Sequence, residues 1–313
     1  MCVIICVFLV VMTAAGFIAG NYFYSLALQP GGDRSEVFRA DHNRIELPAD
    51  MPPQDPRDEE AWYEQSLHED VYSISGDGLR LHASRIPHPD AGKRWAILCH
   101  GYSCSMHHMI RSAMFFGDMG FNILLPDARG CGASEGDYYG MGWQDRPDIV
   151  GWINKILEWE PGAQIVLYGV SMGGATVMMV SGEKLPPNVK AIVEDCGYTS
   201  AWDEFAYQLK GIFKLPPFPI MHFSSLVTRL RAGYRLGEAS AVDQVAKSTT
   251  PTLFIHGTQD TFVPFSMLQQ VYDACNAPKQ LCAVEGAGHA MAAAMLGAEY
   301  WVMVERFIGQ YIL

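Results

Sequence analysis

A hydroxyl, an imidazole and a carboxylate can together move an acyl group, and this chain offers one of each at the end of an apolar run. In Gly169-Val170-Ser171-Met172-Gly173 the serine has a glycine two residues to either side. The run before it, Gln164 to Tyr168, is short, apolar and closed by glycine, which suits a buried parallel strand. Ala175 to Val180 suits the first turns of a buried helix. A serine on a turn of that kind takes a strained backbone conformation that only small neighbours permit. Its hydroxyl is then lifted toward the free N–H groups at the helix start.

A serine hydroxyl is a weak nucleophile until a base takes its proton and a third group orients that base. Ile255-His256-Gly257-Thr258-Gln259-Asp260 puts a carboxylate in the loop after one strand-like run, and Val284-Glu285-Gly286-Ala287-Gly288-His289 puts an imidazole after the next. Taken singly, Asp260 also reads as a turn residue and His289 as a hydrogen-bonded histidine. The order Ser171, Asp260, His289, each at a strand end, points to a catalytic triad. Asp195 also ends a strand and is the rival acid. Tyr102, in His100-Gly101-Tyr102, and Met172 are expected to supply the backbone N–H groups of an oxyanion hole. The sequence carries no H-E-x-x-H, Walker loop or dinucleotide fingerprint, so neither metal nor cofactor is expected.

The elements that must position these residues alternate from Asp70 onward. Val71 to Ser75 and Leu79 to Ile86 read as an antiparallel hairpin. Strands follow at Trp95 to Cys99, Asn122 to Leu125, Ile165 to Tyr168, Ala191 to Glu194, Thr252 to Ile255 and Gln280 to Val284. Helices are predicted at about Met106 to Met119, Asp145 to Trp159, Ser171 to Lys184, Pro264 to Cys275 and Ala292 to Tyr311. This alternation predicts a three-layer α/β domain over 70–313 with its site at the carboxyl ends of the strands. About 198–248 the rhythm breaks into an aromatic, proline-interrupted stretch that reads as a small helical lid, with Trp202 and Phe205 as candidate substrate contacts. Its one acidic pair, Asp203-Glu204, reads as a solvated helix surface or as a holder for an amine.

Residues 1–28 are almost continuously hydrophobic, enough to span a bilayer, with a cleaved signal peptide as the rival reading. The expected placement is a membrane-anchored enzyme whose catalytic domain is extracytoplasmic. Residues 29–69 read as a polar linker that separates membrane from domain, followed by a short helix opened by Asp55-Pro56. The charge balance, 22 − 34 = −12, with no basic cluster, argues against nucleic acid as a partner. Eight cysteines without a C-x-x-C pair read mainly as buried free thiols, although Cys99 and Cys104 are near enough in sequence to bridge.

Cys99-His100-Gly101, Asp127-Ala128-Arg129-Gly130-Cys131-Gly132-Ala133-Ser134, Gly169-Val170-Ser171-Met172-Gly173-Gly174, His256-Gly257-Thr258-Gln259-Asp260 and Gly288-His289 together resemble the α/β-hydrolase superfamily. The likeness is to its bacterial esterase/lipase-like, serine aminopeptidase-like branch. It implies a mostly parallel eight-stranded sheet flanked by helices with a small helical lid. It also implies Ser171 as nucleophile, Asp260 as acid and His289 as base. The expected activity is cofactor-independent hydrolysis of carboxylic esters with an apolar part, the substrate being a small ester or a lipid. A lipase, a peptidase or amidase, and a non-catalytic binding protein are the alternatives.

Overall fold

The computed structural model describes residues 2–32, 34 and 51–312; residue 33 and 35–50, most of the expected linker, lie outside the described residues. Eight strands form one sheet: β1 (Glu69–Ile74), β2 (Arg80–Ile86), β3 (Arg94–Cys99), β4 (Asn122–Pro126), β5 (Gln164–Val170), β6 (Val189–Asp195), β7 (Thr252–Gly257) and β8 (Lys279–Val284). Their spatial order is β1-β2-β4-β3-β5-β6-β7-β8. β2 pairs antiparallel with both β1 and β4, and the remaining pairs are parallel. This is the mostly parallel eight-stranded sheet that the family resemblance implies, in the three-layer α/β domain that the alternating pattern predicts. Strands β3, β5, β6 and β7 are covered on both faces, which is why they read as unbroken apolar runs. The edge strand β1 alternates between exposed and half-buried positions, because one of its faces meets water.

Helices Ile110–Asp118 and Ala298–Ile308 close one face of the sheet around Phe116, Tyr168 and Trp301. Helices Asp145–Trp159 and Met172–Ser181 pack on the other around Trp152, Ile153 and Val177. The single helix expected over Ala292 to Tyr311 is two, Ala292–Leu296 and Ala298–Ile308, because Gly297 takes a φ of 55° that breaks the helical run. The short helix before β1 begins at Glu59, not after Asp55-Pro56. Asp58 caps it by accepting from the N–H groups of Glu60 and Ala61, while Asp55 grips Arg57 at 2.6 Å. Cys99 and Cys104 are free, as is every other described cysteine for which a state is assigned.

Between β6 and β7 the chain leaves the sheet to form a cap of two helices, Ala201–Phe213 and Ile220–Ala232. Pro216, Pro217 and Pro219 hold the two apart, since proline can neither donate to a helix interior nor fit there. Ser200 caps the first cap helix by accepting from the Asp203 N–H.

The N-terminal helix, Cys2–Leu28, is the one described helix long and apolar enough to cross a membrane. It does not stand clear of the domain, as a polar linker alone would allow. Its residues are exposed as far as Ala15, and from Gly16 onward it lies against the second cap helix. A Cβ on Gly16 would fall 2.3 Å from the Phe223 ring and one on Gly20 2.7 Å from the Phe223 backbone, so only glycine allows this approach. Tyr24 and Leu28 are buried in the same apolar cluster as the cap residues Leu209, Met221 and Tyr234. The Leu28 carbonyl accepts from the Tyr139 N–H at 2.8 Å, and Arg231 donates to Asn21 at 2.9 Å.

Leu28 therefore belongs to the domain core. Leu28→Ala is expected to cost about 2–5 kcal/mol of stability, the range for emptying a packed apolar site. Chemical denaturation of the full chain measures it. A midpoint equal to that of the parent would show that the helix end is a tether and not part of the core.

Candidate active site

Ser171 stands between β5 and helix Met172–Ser181 with φ 58° and ψ −119°, a conformation costly for a residue with a side chain. The surrounding backbone is packed so closely that the turn has no room to relax. A Cβ on Gly169 would lie 2.1 Å from the Gly173 carbonyl oxygen, and one on Gly173 2.0 Å from that of Cys99. The Ser171 N–H donates to the Asp195 carbonyl at 2.8 Å, which ties the turn to the end of β6.

The three residues read from the sequence lie in hydrogen-bonded order. The Ser171 hydroxyl is 2.9 Å from His289 Nε2, and His289 Nδ1 is 2.8 Å from Asp260 Oδ2. Because a carboxylate only accepts, Nδ1 carries the proton, and in the neutral imidazole Nε2 is left to receive the serine proton. Burial pushes the Asp260 carboxyl up, but His289 and His256 outweigh it and hold the group below the usual carboxylate range. Its Oδ1 accepts from the N–H groups of Phe262 and Val263, each at 2.9 Å. Its Oδ2 also lies 3.2 Å from His256 Nε2, which reaches the Val263 carbonyl at 2.9 Å. Phe262 stacks on the His289 ring with centroids 4.8 Å apart. The loops after β7 and β8 are laced together by the Gln259 N–H on the Ala287 carbonyl and the Gly286 N–H on the Thr258 hydroxyl, both 2.9 Å.

Asp195, the rival acid, accepts from the Tyr300 hydroxyl at 2.8 Å and not from His289. Burial raises its carboxyl to about 6. Met172 is the first residue of its helix, so its N–H belongs to the set that helices leave without internal partners. Gly101 faces Ser171, its Cβ position 3.6 Å from Ser171 Cβ. His100 braces this loop from both ring nitrogens: Nδ1–H donates to the Gly101 carbonyl at 2.8 Å and Nε2 accepts from the Ala128 N–H at 3.0 Å. The Tyr102 hydroxyl donates to the Ala27 carbonyl at 2.5 Å and accepts from Arg34 Nε at 2.8 Å. The N-terminal segment thereby holds the loop that carries the expected oxyanion donor.

Two cavities of unlike character meet at Ser171. One is a narrow apolar slot of about 90 Å³ between the N-terminal helix and the cap, walled by Phe23, Leu26, Phe205, Phe213 and Ile220. The other is an open cleft of about 910 Å³ that also reaches His289, with His108, Arg111, Phe115 and Trp301 on its sides. Phe205 is among the residues that line the slot. Trp202 lines neither cavity; it packs edge-on against His222, with centroids 5.2 Å apart.

Glu204 departs most from the surface reading. Asp203 does face solvent and receives the Thr199 and Ser200 hydroxyls, but Glu204 is only 3% exposed and lines the slot. Its Oε1 accepts from Gln208 at 2.9 Å, and its Oε2 has no hydrogen-bond partner among the described residues. Burial raises this carboxyl to about 8. The spacing could have indicated it, because Ala201, Glu204, Gln208 and Leu209 share one helix face. Among the described residues one group of metal-ligating types is close together, Cys196 with Asp260 and His289. Its carboxylate and imidazole already bond each other, and burial pushes the Cys196 thiol well above its ordinary range, away from the thiolate a metal needs.

Residues 50–232 match the family model of the X-Pro dipeptidyl-peptidases, the S15 family; the match holds Ser171 and most of the cap and ends before Asp260 and His289. A Bacillus subtilis protein, YqkD, itself uncharacterised, is 28% identical over 217 residues, which are 68% of this chain and 70% of the relative. Among solved structures, an esterase of Pyrococcus furiosus aligns with a TM-score of 0.67 at 22% identity, covering 84% of this chain and 98% of its own. An acylaminoacyl peptidase of Pyrococcus horikoshii aligns at 0.60 with 16% identity, covering 80% of this chain and 43% of its own. At these identities the structural likenesses establish the fold.

An acid whose pKa is raised by folding keeps its proton longer in the fold, so stability is undiminished below the unfolded value, near 4.5, and falls as pH rises toward about 8. Glu204→Gln, which cannot ionise, is expected to match the parent near pH 4.5 and to exceed it increasingly up to pH 8. Thermal unfolding across that window measures the gap. A constant gap would mean that Glu204 does not titrate in it.

Proposed function

We propose, for a chain that belongs to the X-Pro dipeptidyl-peptidase (S15) family and is a hydrolase, that it cleaves carboxylic esters through an acyl-enzyme formed on Ser171. The observation that carries this reading is the unbroken chain from the Ser171 hydroxyl through His289 to Asp260, set where an apolar slot meets an open cleft. Ser171 Oγ attacks the ester carbonyl carbon while His289 Nε2 takes its proton. The oxyanion that forms is held by the backbone N–H groups of Tyr102 and Met172. Collapse expels the alcohol, which receives the proton from His289. A water then attacks the acyl-enzyme, gives its proton to His289, and the carboxylic acid leaves as the proton returns to Ser171. The slot suits the apolar acyl chain and the cleft the leaving alcohol. The N-terminal helix supports placement at a membrane, with a lipid ester as a substrate within reach.

One observation favours a second reading. Glu204 lines the slot, and one of its carboxyl oxygens has no hydrogen-bond partner among the described residues, so the amine of a peptide substrate entering there would find an acid beside it. The chain would then act as a peptidase, the activity its family description names.

Ser171→Ala is expected to lose fluorophosphonate labelling and about 10⁶ in turnover, the scale for a triad acting as a unit. Asp260→Asn should lose about 10⁴ and Asp195→Asn about tenfold on the same activated ester. Retention of a tenth of parental activity in Ser171→Ala would remove the nucleophile. Comparison of kcat/KM for p-nitrophenyl acyl esters and X-Pro p-nitroanilides decides between the readings; a preference for the anilide that is lost in Glu204→Gln would establish the peptidase.

A further inference from the structure

The N-terminal helix is docked on the domain over its second half only, and its exposed first half stands clear of the cap. Exposed apolar sequence runs from Val3 to Ala15 before the helix meets the cap at Gly16. Those thirteen residues rise about 20 Å at 1.5 Å each, enough to reach well into a hydrocarbon core about 30 Å thick. Lipid that receives this stretch while the helix stays docked brings the cap at its base to the interface, where apolar surfaces sink by about 5–10 Å.

The cap carries a surface of the right kind at the right height. Phe223 is the residue that Gly16 and Gly20 face, and Phe17 packs on its ring with centroids 5.5 Å apart, so the start of the second cap helix lies beside the base of the exposed stretch. Immediately before that helix runs Leu215-Pro216-Pro217-Phe218-Pro219, without a charged residue, with Phe218 71% exposed. Lys214 at its edge is exposed, with its ammonium donating to the Gly211 carbonyl at 2.6 Å, so this cation beside the loop is held at its rim and not among its apolar side chains. On the docked half of the helix Ile18 and Tyr22 are also exposed and extend the apolar surface away from the tip.

We propose that the loop Leu215–Pro219 is seated in the bilayer interface beside the N-terminal helix, and that the slot opens there onto the lipid. Phe213 and Ile220, which flank the loop, and Phe23, which packs on Phe213 at 5.3 Å, are walls of that slot. An acyl chain leaving the leaflet meets apolar side chains as far as Ser171. The seating stands on geometry alone, while the delivery of substrate rests on the ester reading above.

The test uses the full chain in vesicles of phosphatidylcholine and phosphatidylglycerol, 3:1. With Cys2, Cys6, Cys104 and Cys282 changed to serine, so that the remaining native thiols are buried, a nitrobenzoxadiazole probe is placed at Phe218→Cys or, as a control on the far sheet edge, at Ile74→Cys. Lipid-borne nitroxides near the headgroups are expected to quench the probe at 218 at least threefold more than the probe at 74. Equal quenching would put the cap in water and overturn the seating, whatever the enzyme hydrolyses. In a second arm, the double variant Leu215→Ser, Phe218→Ser is expected to lose about tenfold in kcat/KM on a long-chain ester carried in the vesicle while keeping its rate on a water-soluble short-chain ester. An undiminished rate on the vesicle-borne ester would overturn delivery from the leaflet.

Discussion

The site depends on a steric constraint at one turn. Ser171 is held at φ 58° because Gly169 meets the Gly173 carbonyl and Gly173 meets that of Cys99 at distances no side chain tolerates. Relaxing the serine would require moving β3, β5 and the helix after it together, and all three are interior elements of a close-packed sheet. The strain is thus carried by the fold as a whole. The same crowding brings the start of helix Met172–Ser181, the Gly101 loop and the end of β6 around one hydroxyl, so the expected nucleophile and the expected oxyanion donors are set by a single packing decision.

Asp260 is fixed in a different manner, by saturation. Two backbone N–H groups occupy one oxygen and two imidazoles approach the other. A carboxylate so surrounded has one orientation, and it imposes one on His289, whose other side is covered by Phe262. His256 lies beneath this arrangement as a fully buried support with one ring nitrogen on the Val263 carbonyl, and it makes no contact with Ser171.

How much of this was legible in the sequence follows the range over which each signal acts. Buried strands read as apolar runs, and the residues after β5, β7 and β8 stand out because glycine and polar residues interrupt those runs; Ser171, Asp260 and His289 all belong to that local grammar. Tertiary partners did not read. Glu204 looks like half of a solvated pair because Asp203 beside it is one, and only the helix phase separates the two. Asp55-Pro56 has the composition of a helix start, yet the Arg57 side chain claims the carboxylate and Asp58 takes the cap. The hydrophobic terminus read as an anchor held apart by a linker, since hydropathy does not say what a helix touches. Gly16 and Gly20, four apart, were the available sign of a close helix partner.

The Tyr102 hydroxyl on the Ala27 carbonyl has a consequence for how the parts of this molecule influence one another. The N-terminal helix walls the slot and also steadies the loop beside Ser171, so occupancy of the slot, docking of the helix and the shape of that loop are thermodynamically linked. Linkage is reciprocal: whatever factor docking contributes to the affinity of a molecule in the slot, that molecule returns to the docking equilibrium. A filled slot is therefore a clamp on the helix, and an agent that pulls the helix away loosens the slot and the Tyr102 loop without touching the serine.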